Sequence, residues 1–168
     1  MRLSFLLASV LFAAFAVPVA DAAPPAKPKA AAPGVMPAAQ RQAVALMVAG
    51  RVEKRLNALP QNSPQQAVAS LRTVAKAYQG LARVCREAAW EPMAGYYTET
   101  AAVFSKMADG RLSRAQVDQQ TKALEQRRRQ LTKAAIARFG PAHVSPRDPQ
   151  LNAIADRLAT RILRDAGA

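Results

Sequence analysis

The sequence predicts an all-α protein: an antiparallel bundle of about five amphipathic helices that follows a cleaved signal peptide and a Pro/Ala-rich linker. Three observations predict this fold class. Apolar residues recur at spacings of three and four along five segments, which is the period of a helix with one buried face. Aromatic residues make up only 5% of the chain, whereas the helix-forming residues Ala, Gln, Arg and Leu are abundant. Short connections containing Pro or Gly separate the segments, as expected for antiparallel neighbours.

Residues 1–22 have the three parts of a secretory signal peptide. Arg2 supplies a positive charge, an apolar run continues to Val17, and the sequence ADA at 20–22 supplies the small residues of a cleavage site. The run is shorter than the roughly 20 residues that a membrane-spanning helix needs, although an uncleaved anchor is the alternative. We therefore predict a protein of the periplasm, or a secreted one, whose mature chain begins near Ala23.

Residues 23–38 contain five prolines and no bulky apolar cluster. Such a segment buries too little surface to offset its ordering entropy, so it predicts a flexible linker. Residues 39–168 then form the helical bundle domain, which is long enough to bury a core. Its single cysteine cannot form an intramolecular disulfide, so packing must supply the stability.

The first helix is predicted from about Ala38 to Leu59, and Pro60 ends it. Gly50 lies inside this helix, where glycine costs about 1 kcal/mol relative to alanine. We expect the missing side chain to permit a close contact between helices.

The start of the second helix carries three agreeing signals. Ser63 can accept from the free amides, Pro64 suits the first helical position, and Gln66 can complete a capping box. An apolar stripe continues this helix to Ala89. A third helix is predicted to begin near Pro92 and to end before Gly110.

The fourth and fifth helices also have recognisable first residues. A capping box at Ser113 and Gln116, with a hydrophobic staple between Leu112 and Val117, begins the fourth helix, and the Gly-Pro pair at 140–141 ends it. The fifth begins with Asp148 as its cap and Pro149 in its first position. The predicted inward-facing residues of this helix are Leu151, Ile154, Leu158 and Ile162.

The stretch at 88–104 has the composition of a protein interface. Tryptophan and tyrosine are enriched at interfaces because they combine apolar area with a polar tip. Tyr96 and Tyr97 are adjacent on a helix, so we expect at least one of them to point outward. Ordinary core packing is the alternative for the whole group. The candidate interface residues are Trp90, Met93, Tyr96, Tyr97 and Phe104.

The fourth helix is strongly basic. Residues 114–138 carry seven basic residues against two acidic ones, in a chain of net charge +13, whereas residues 91–109 have a net charge of −2. Arg128 lies between Leu124 and Leu131 on the apolar side, so its guanidinium should reach water or a carboxylate. A solvated helix face is the alternative interpretation of the three consecutive arginines. The candidate polyanion contacts are Arg127, Arg129, Lys133 and Arg138.

Residues suited to catalysis are few and dispersed. Cys85 lies on an apolar stripe and His143 in a loop, so we interpret them as a core cysteine and a loop histidine rather than a catalytic pair. Glu87, Glu91 and Glu99 are interpreted as solvated helix carboxylates. The sequence contains no metal-ligand spacing and no phosphate-binding loop. We therefore predict no catalytic residues, no metal site and no cofactor.

These observations favour an exported, non-enzymatic helical protein that binds another macromolecule, such as an inhibitor, an immunity-type protector or a chaperone-like factor for an unknown partner protein. The alternative is a basic binder of an acidic envelope component, either anionic lipid or lipopolysaccharide. An exported enzyme whose site carries no known motif is the third possibility. Export, and the lack of any nucleic-acid-binding motif, argue against nucleic acid as a partner.

Overall fold

The computed structural model of the chain describes residues 36–139 and 148–168, and within them the protein is all-α. The predicted signal peptide, the linker before residue 36, the Gly-Pro pair at 140–141 and His143 lie outside the described residues. The described part contains five helices packed as an antiparallel bundle. They are α1 (Ala38–Leu56), α2 (Pro64–Glu87), α3 (Glu91–Ala108), α4 (Arg114–Phe139) and α5 (Pro149–Ala166).

The predicted caps of α4 and α5 are confirmed. The Ser113 hydroxyl accepts from the Gln116 amide at 3.3 Å, and the Gln116 side-chain oxygen accepts from the Ser113 amide at 2.8 Å. Asp148 accepts from the amides of Gln150 and Leu151. Each of these bonds satisfies an amide that has no partner within its helix, so the helix starts are fixed by local sequence.

The start of α2 differs slightly from the predicted capping box. Ser63 accepts from the Gln66 amide at 3.2 Å as predicted, but the Gln66 side chain accepts from the amide of Asn62, one residue before the cap. Ser70 donates to the carbonyl of Pro60 at 2.7 Å. This bond joins the α1–α2 connection to the first turns of α2.

The turn between α2 and α3 reverses the chain within three residues. Ala89 has φ +54°, and the Trp90 amide donates to the Cys85 carbonyl at 2.8 Å across it. Pro92 then lies in the first turn of α3, where a missing amide hydrogen removes no helical bond. This tight turn makes α2 and α3 the most extensively packed pair of helices in the described part of the chain.

The other helices surround this hairpin unequally. α1 packs against α5 and α2, α5 also packs against α2, and α4 packs mainly against α3. On α5, Leu151 and Ile162 are buried as predicted, while Ile154 and Leu158 are half-buried. None of the described helices is both long and apolar enough to span a membrane.

A glycine does permit a close contact between helices, but it is not the expected one. Gly50 is exposed, and a Cβ added there would meet nothing within 4 Å, so the expectation of a close contact at Gly50 is wrong. At Gly80 of α2, an added Cβ would lie 2.9 Å from Cγ2 of Ile162 on α5. The missing side chain therefore brings α2 against α5.

Candidate binding surfaces

The predicted aromatic interface lies in the protein core. Trp90 is 9% exposed and the other four candidate residues are at most 4% exposed. Tyr97 packs against Tyr78 of α2 with ring centroids 5.6 Å apart, and Tyr96 packs edge-on against Tyr97 with centroids 4.9 Å apart. Both tyrosines are buried because α3 is covered by α2 on one side and α4 on the other. The expectation that one of them points outward is therefore wrong.

An ion pair connects α1 and α4 beside these tyrosines. Arg128 donates to Oε2 of Glu53 at 2.6 Å, and the two side chains are 25% and 9% exposed. The sequence placed the Arg128 guanidinium near water or a carboxylate, and the structure identifies the carboxylate as that of Glu53. The second oxygen of this carboxylate, Oε1, is buried and accepts no hydrogen bond from the described residues.

Glu53, Arg128 and the three buried tyrosines form one cluster, and burial controls its ionisation. It raises the pKa of the Glu53 carboxyl, since the loss of hydration outweighs the attraction of Arg128. Burial also raises the pKa of Tyr78 and of Tyr97 well above the ordinary value, so both phenols stay protonated. For Arg128, burial acts to lower the pKa, but the nearby Glu53 and the tyrosines outweigh it and raise the pKa. The cluster therefore contains a charged guanidinium among protonated phenols, enclosed by four helices, and we interpret it as structural.

The predicted polyanion contacts on α4 are partly engaged with carboxylates. Arg127 forms an ion pair with Glu99 of α3, and Arg129 forms one with Glu125 one turn earlier. Lys133 is exposed, and the side chain of Arg138 lies outside the described residues. Because Arg127 and Arg128 pair with carboxylates of other helices, α4 presents less unpaired positive charge than its net charge of +5 suggests.

A larger unpaired basic surface lies on α2 and α5. Its α2 residues, at spacings of four and seven, share one side of the helix over about 16 Å, and its α5 residues are four apart. All are exposed, and none lies within 4 Å of a carboxylate oxygen in the described part of the chain. We call this surface the basic face. Its residues are Arg72, Lys76, Arg83, Arg157 and Arg161.

The sequence placed polyanion binding on the first, second and fourth helices, but its candidate contact residues all lay on α4, so it named no residue of the basic face. The signal was available on α2, where basic residues recur at helical spacing away from the apolar stripe. Residues that are consecutive along a helix point in three directions, whereas residues at helical spacing share one face. The contribution of α5, however, depends on the packing of two helices that are distant in sequence.

A groove of about 190 Å³ lies between α2 and α5 at the basic face. Three residues of the basic face, Lys76, Arg83 and Arg161, line it. Glu87 and Asp165 are its acidic lining residues. The remaining lining residues are Gln79, Gly80, Val84, Leu158, Ile162 and Ala166. The groove therefore combines three cations and two carboxylates with an apolar surface.

Of the residues suited to catalysis, the structure describes Cys85, Glu87, Glu91 and Glu99. Cys85 is 1% exposed, and burial raises the pKa of its thiol to about 12. Glu87 and Glu91 are exposed, and Glu99 is the partner of Arg127. Within residues 36–139 and 148–168, no three His, Cys, Asp or Glu side chains are grouped so that they could hold a metal ion.

The sequence matches no protein family, and comparisons with curated proteins and with solved structures find no similar protein.

Proposed function

We propose that this chain is an exported, non-enzymatic helical protein that binds an anionic surface of the cell envelope, either anionic lipid or lipopolysaccharide. The observation that carries the proposal is the basic face, with its five exposed cations and no carboxylate within ion-pair distance among the described residues. Unpaired cations concentrated on one side attract a surface of phosphate groups more strongly than the same charges spread over the molecule.

The signal-peptide pattern at 1–22 supports the choice of partner. Outside the cytoplasm, phosphate-bearing lipids are the most abundant polyanions that a basic protein meets. Attraction to an anionic membrane contributes about 1 kcal/mol for each lysine or arginine near the surface. Five such residues therefore suffice for reversible binding to a membrane surface without an apolar anchor.

Binding of a partner protein through the aromatic residues gains less support from the structure. Trp90, Met93, Tyr96, Tyr97 and Phe104 all lie in the core, so a partner could contact them only after α3 had lost its neighbours. An inhibitor, immunity-type or chaperone-like function would need a different surface. The basic face is the stronger candidate for such a surface as well, with an acidic partner.

Vesicle co-sedimentation of the purified protein tests the proposal. Binding to phosphatidylglycerol vesicles should be strong at low salt and fall steeply at about 0.15 M salt, where the Debye length is near 8 Å. Vesicles of phosphatidylcholine should bind little protein. Equal binding to the two lipids, or binding that does not change with salt, would contradict the proposal.

Charge-matched variants locate the binding surface. The variant Arg72→Gln/Arg83→Gln/Arg157→Gln removes three charges of the basic face and should weaken vesicle binding by roughly two orders of magnitude. The control Lys54→Gln/Arg114→Gln/Lys122→Gln removes three exposed charges from α1 and α4, so it should weaken binding much less. Equal losses in the two variants would assign the binding to net charge instead of to the basic face.

Cell fractionation tests the proposed location. We expect the protein in the periplasm or the medium, with a mass that corresponds to cleavage near Ala23. An intact chain in the cytosol would contradict export, and the envelope surface would then no longer be an accessible partner.

A further inference from the structure

We propose that the groove between α2 and α5 binds the phosphodiester headgroup of a glycerophospholipid. This inference rests on the proposed function and goes beyond it, since it assigns a specific pocket and a ligand class to a surface that could otherwise act through diffuse charge alone. Its basis is the meeting of three cations, two carboxylates and an apolar surface in one groove.

The cations come from both walls of the groove. Lys76 and Arg83 are seven residues apart on α2, which places them about 10 Å apart along the helix axis on the same side. Arg161 contributes from α5. Lysine binds phosphate as a mobile point charge, and arginine donates paired hydrogen bonds to phosphate oxygens. These long side chains can therefore converge on a phosphate group held between the helices.

The apolar lining suits the part of a lipid next to its phosphate. Val84 of α2 and Leu158 and Ile162 of α5 line the same groove. The helices are in contact at Gly80 and Ile162, two of the residues that line the groove. At about 190 Å³ the groove is smaller than the 300–1,000 Å³ typical of pockets for drug-sized ligands. It therefore fits a headgroup and the first carbons attached to it, and not a whole lipid.

The acidic residues narrow the ligand class. Asp165 has Arg164 as a neighbour at 3.6 Å, whereas Glu87 lies within 4 Å of no basic nitrogen in the described part of the chain. The two lining carboxylates, Glu87 and Asp165, offset two of the three cations, so the lining has a net charge of +1. The groove should therefore prefer a phosphodiester, which carries one negative charge, over a phosphate monoester, which carries up to two.

The test uses dihexanoyl phosphatidylglycerol as a monomeric probe below its micelle concentration, with affinity measured by NMR titration. The variant Lys76→Gln/Arg161→Gln should weaken binding of the probe by roughly tenfold or more, because it removes charge-assisted bonds to the phosphate. The control Arg72→Gln/Arg157→Gln removes the same charge from the same two helices outside the groove lining, and it should weaken binding less than about threefold. Glu87→Gln should tighten binding, whereas the control Glu91→Gln should leave it nearly unchanged.

Dihexanoyl phosphatidic acid, a phosphate monoester, and inorganic phosphate complete the comparison. We expect weaker binding of the monoester than of the diester, a preference that is lost in Glu87→Gln, and negligible binding of inorganic phosphate. Equal losses in the two arginine-containing double variants, or no binding of the probe by the unaltered protein, would overturn the assigned groove. A monoester bound more tightly than the diester would overturn the ligand class and would favour the phosphates of lipopolysaccharide.

The same variants separate this inference from the proposed function. Salt-dependent vesicle binding that weakens equally in the groove and control variants would leave the proposed function intact and remove the groove from it. Specific binding of the probe without binding to vesicles would keep the groove and remove the membrane-surface function. All substituted residues are exposed, so circular dichroism should show unchanged folding.

Discussion

At Glu53 and Arg128, two charged residues are enclosed by apolar and aromatic side chains. A buried ion pair does not by itself stabilise a fold, because the loss of hydration offsets the attraction between the charges. The sequence placed Arg128 at the edge of the apolar side, but the identity of its partner was not predictable. Glu53 is 75 positions away in sequence, and only the packing of α4 near α1 brings the two side chains together.

The raised pKa of Glu53 gives a pH dependence with a definite sign. Below the ordinary pKa of 4.5 the carboxyl is protonated in the folded and unfolded states, and its stabilising contribution is fully present. As pH rises through the higher folded pKa, that contribution is lost. The free energy of unfolding of Glu53→Gln should therefore increase relative to that of the wild type as pH rises above 4.5. Urea denaturation at several pH values measures this difference. Glu91→Gln corrects for the altered net charge. A difference that changes in the opposite direction would show that Arg128 outweighs burial.

Cys85 should be unreactive in the folded protein. The thiolate is the reactive form of cysteine, and a pKa of about 12 leaves almost none of it at neutral pH. Burial also blocks access of the reagent to the sulfur atom. We expect Ellman's reagent to modify the thiol only at the rate of unfolding, and to react fully in guanidinium chloride. Rapid stoichiometric reaction under native conditions would show that Cys85 is accessible.

Among the elements, the helix starts were the most predictable features. Caps at Ser113 and Asp148 depend on residues within one turn, so the local sequence contains all the information needed. The orientation of Tyr96 and Tyr97 was predicted wrongly because the argument assumed a single buried face for α3. A helix with neighbours on two sides buries adjacent residues, and a single helix's sequence does not reveal how many neighbours it has.

The backbone of the α2–α3 turn is strained at Ala89, and glycine at this position should relieve the strain. Ala89 occupies the left-handed region with φ +54°, where a Cβ costs about 1 kcal/mol or more and glycine has no such penalty. Ala89→Gly should therefore raise the free energy of unfolding by up to about 1 kcal/mol, less the entropy gained by the unfolded chain. Ala102→Gly, at an exposed position inside α3, should instead lower it by about 1 kcal/mol. Both are measurable by urea denaturation, and a destabilising Ala89→Gly would contradict the strain.

Gly50 and Gly80, two of the glycines inside helices, should respond oppositely to substitution by alanine. Gly80→Ala places a Cβ 2.9 Å from Cγ2 of Ile162, which must move in a packed interface, so we expect a net loss of about 1–2 kcal/mol. Gly50→Ala meets nothing within 4 Å and restores helix propensity, so it should gain about 1 kcal/mol. Thermal denaturation measures both changes. Stabilisation by Gly80→Ala would show that α2 and α5 are not in close contact.

At the scale of the whole molecule, the packing of the helices determines which basic residues stay unpaired and where they lie. The net charge of +13 is evident from the sequence, which also shows that α4 has the most basic residues. The tertiary structure pairs Arg127 and Arg128 with carboxylates of α3 and α1, and it brings three unpaired cations of α2 and α5 to one groove. Arg129 pairs within α4, as its spacing from Glu125 permits, but no local pattern could identify the partners of Arg127 and Arg128.

The weak packing of α4 predicts an uneven distribution of stability. The buried apolar side chains of its described residues are Val117, Leu124 and Ala135, and its main neighbour is α3. By contrast, α2 and α3 form the most extensive pair in the described part of the chain and contain most of the aromatic core. Regions with few buried contacts open at lower free energy than the whole protein unfolds. Native-state hydrogen exchange should therefore show amides of α4 exchanging well before those of α2 and α3.

The ion pair to Glu53 should set the free energy of that opening. Arg128→Ala leaves the Glu53 carboxylate buried without its partner, so we expect the free energy of opening of α4 to fall by about 2 kcal/mol. This is less than the cost for a fully buried pair, because the side chain of Arg128 is 25% exposed. Arg129→Ala removes an exposed pair within α4 and should change its exchange by less than about 0.5 kcal/mol. If α4 exchanges together with α2 and α3 in the unaltered protein, the bundle opens as one cooperative unit, and Arg128→Ala should then destabilise all five helices equally.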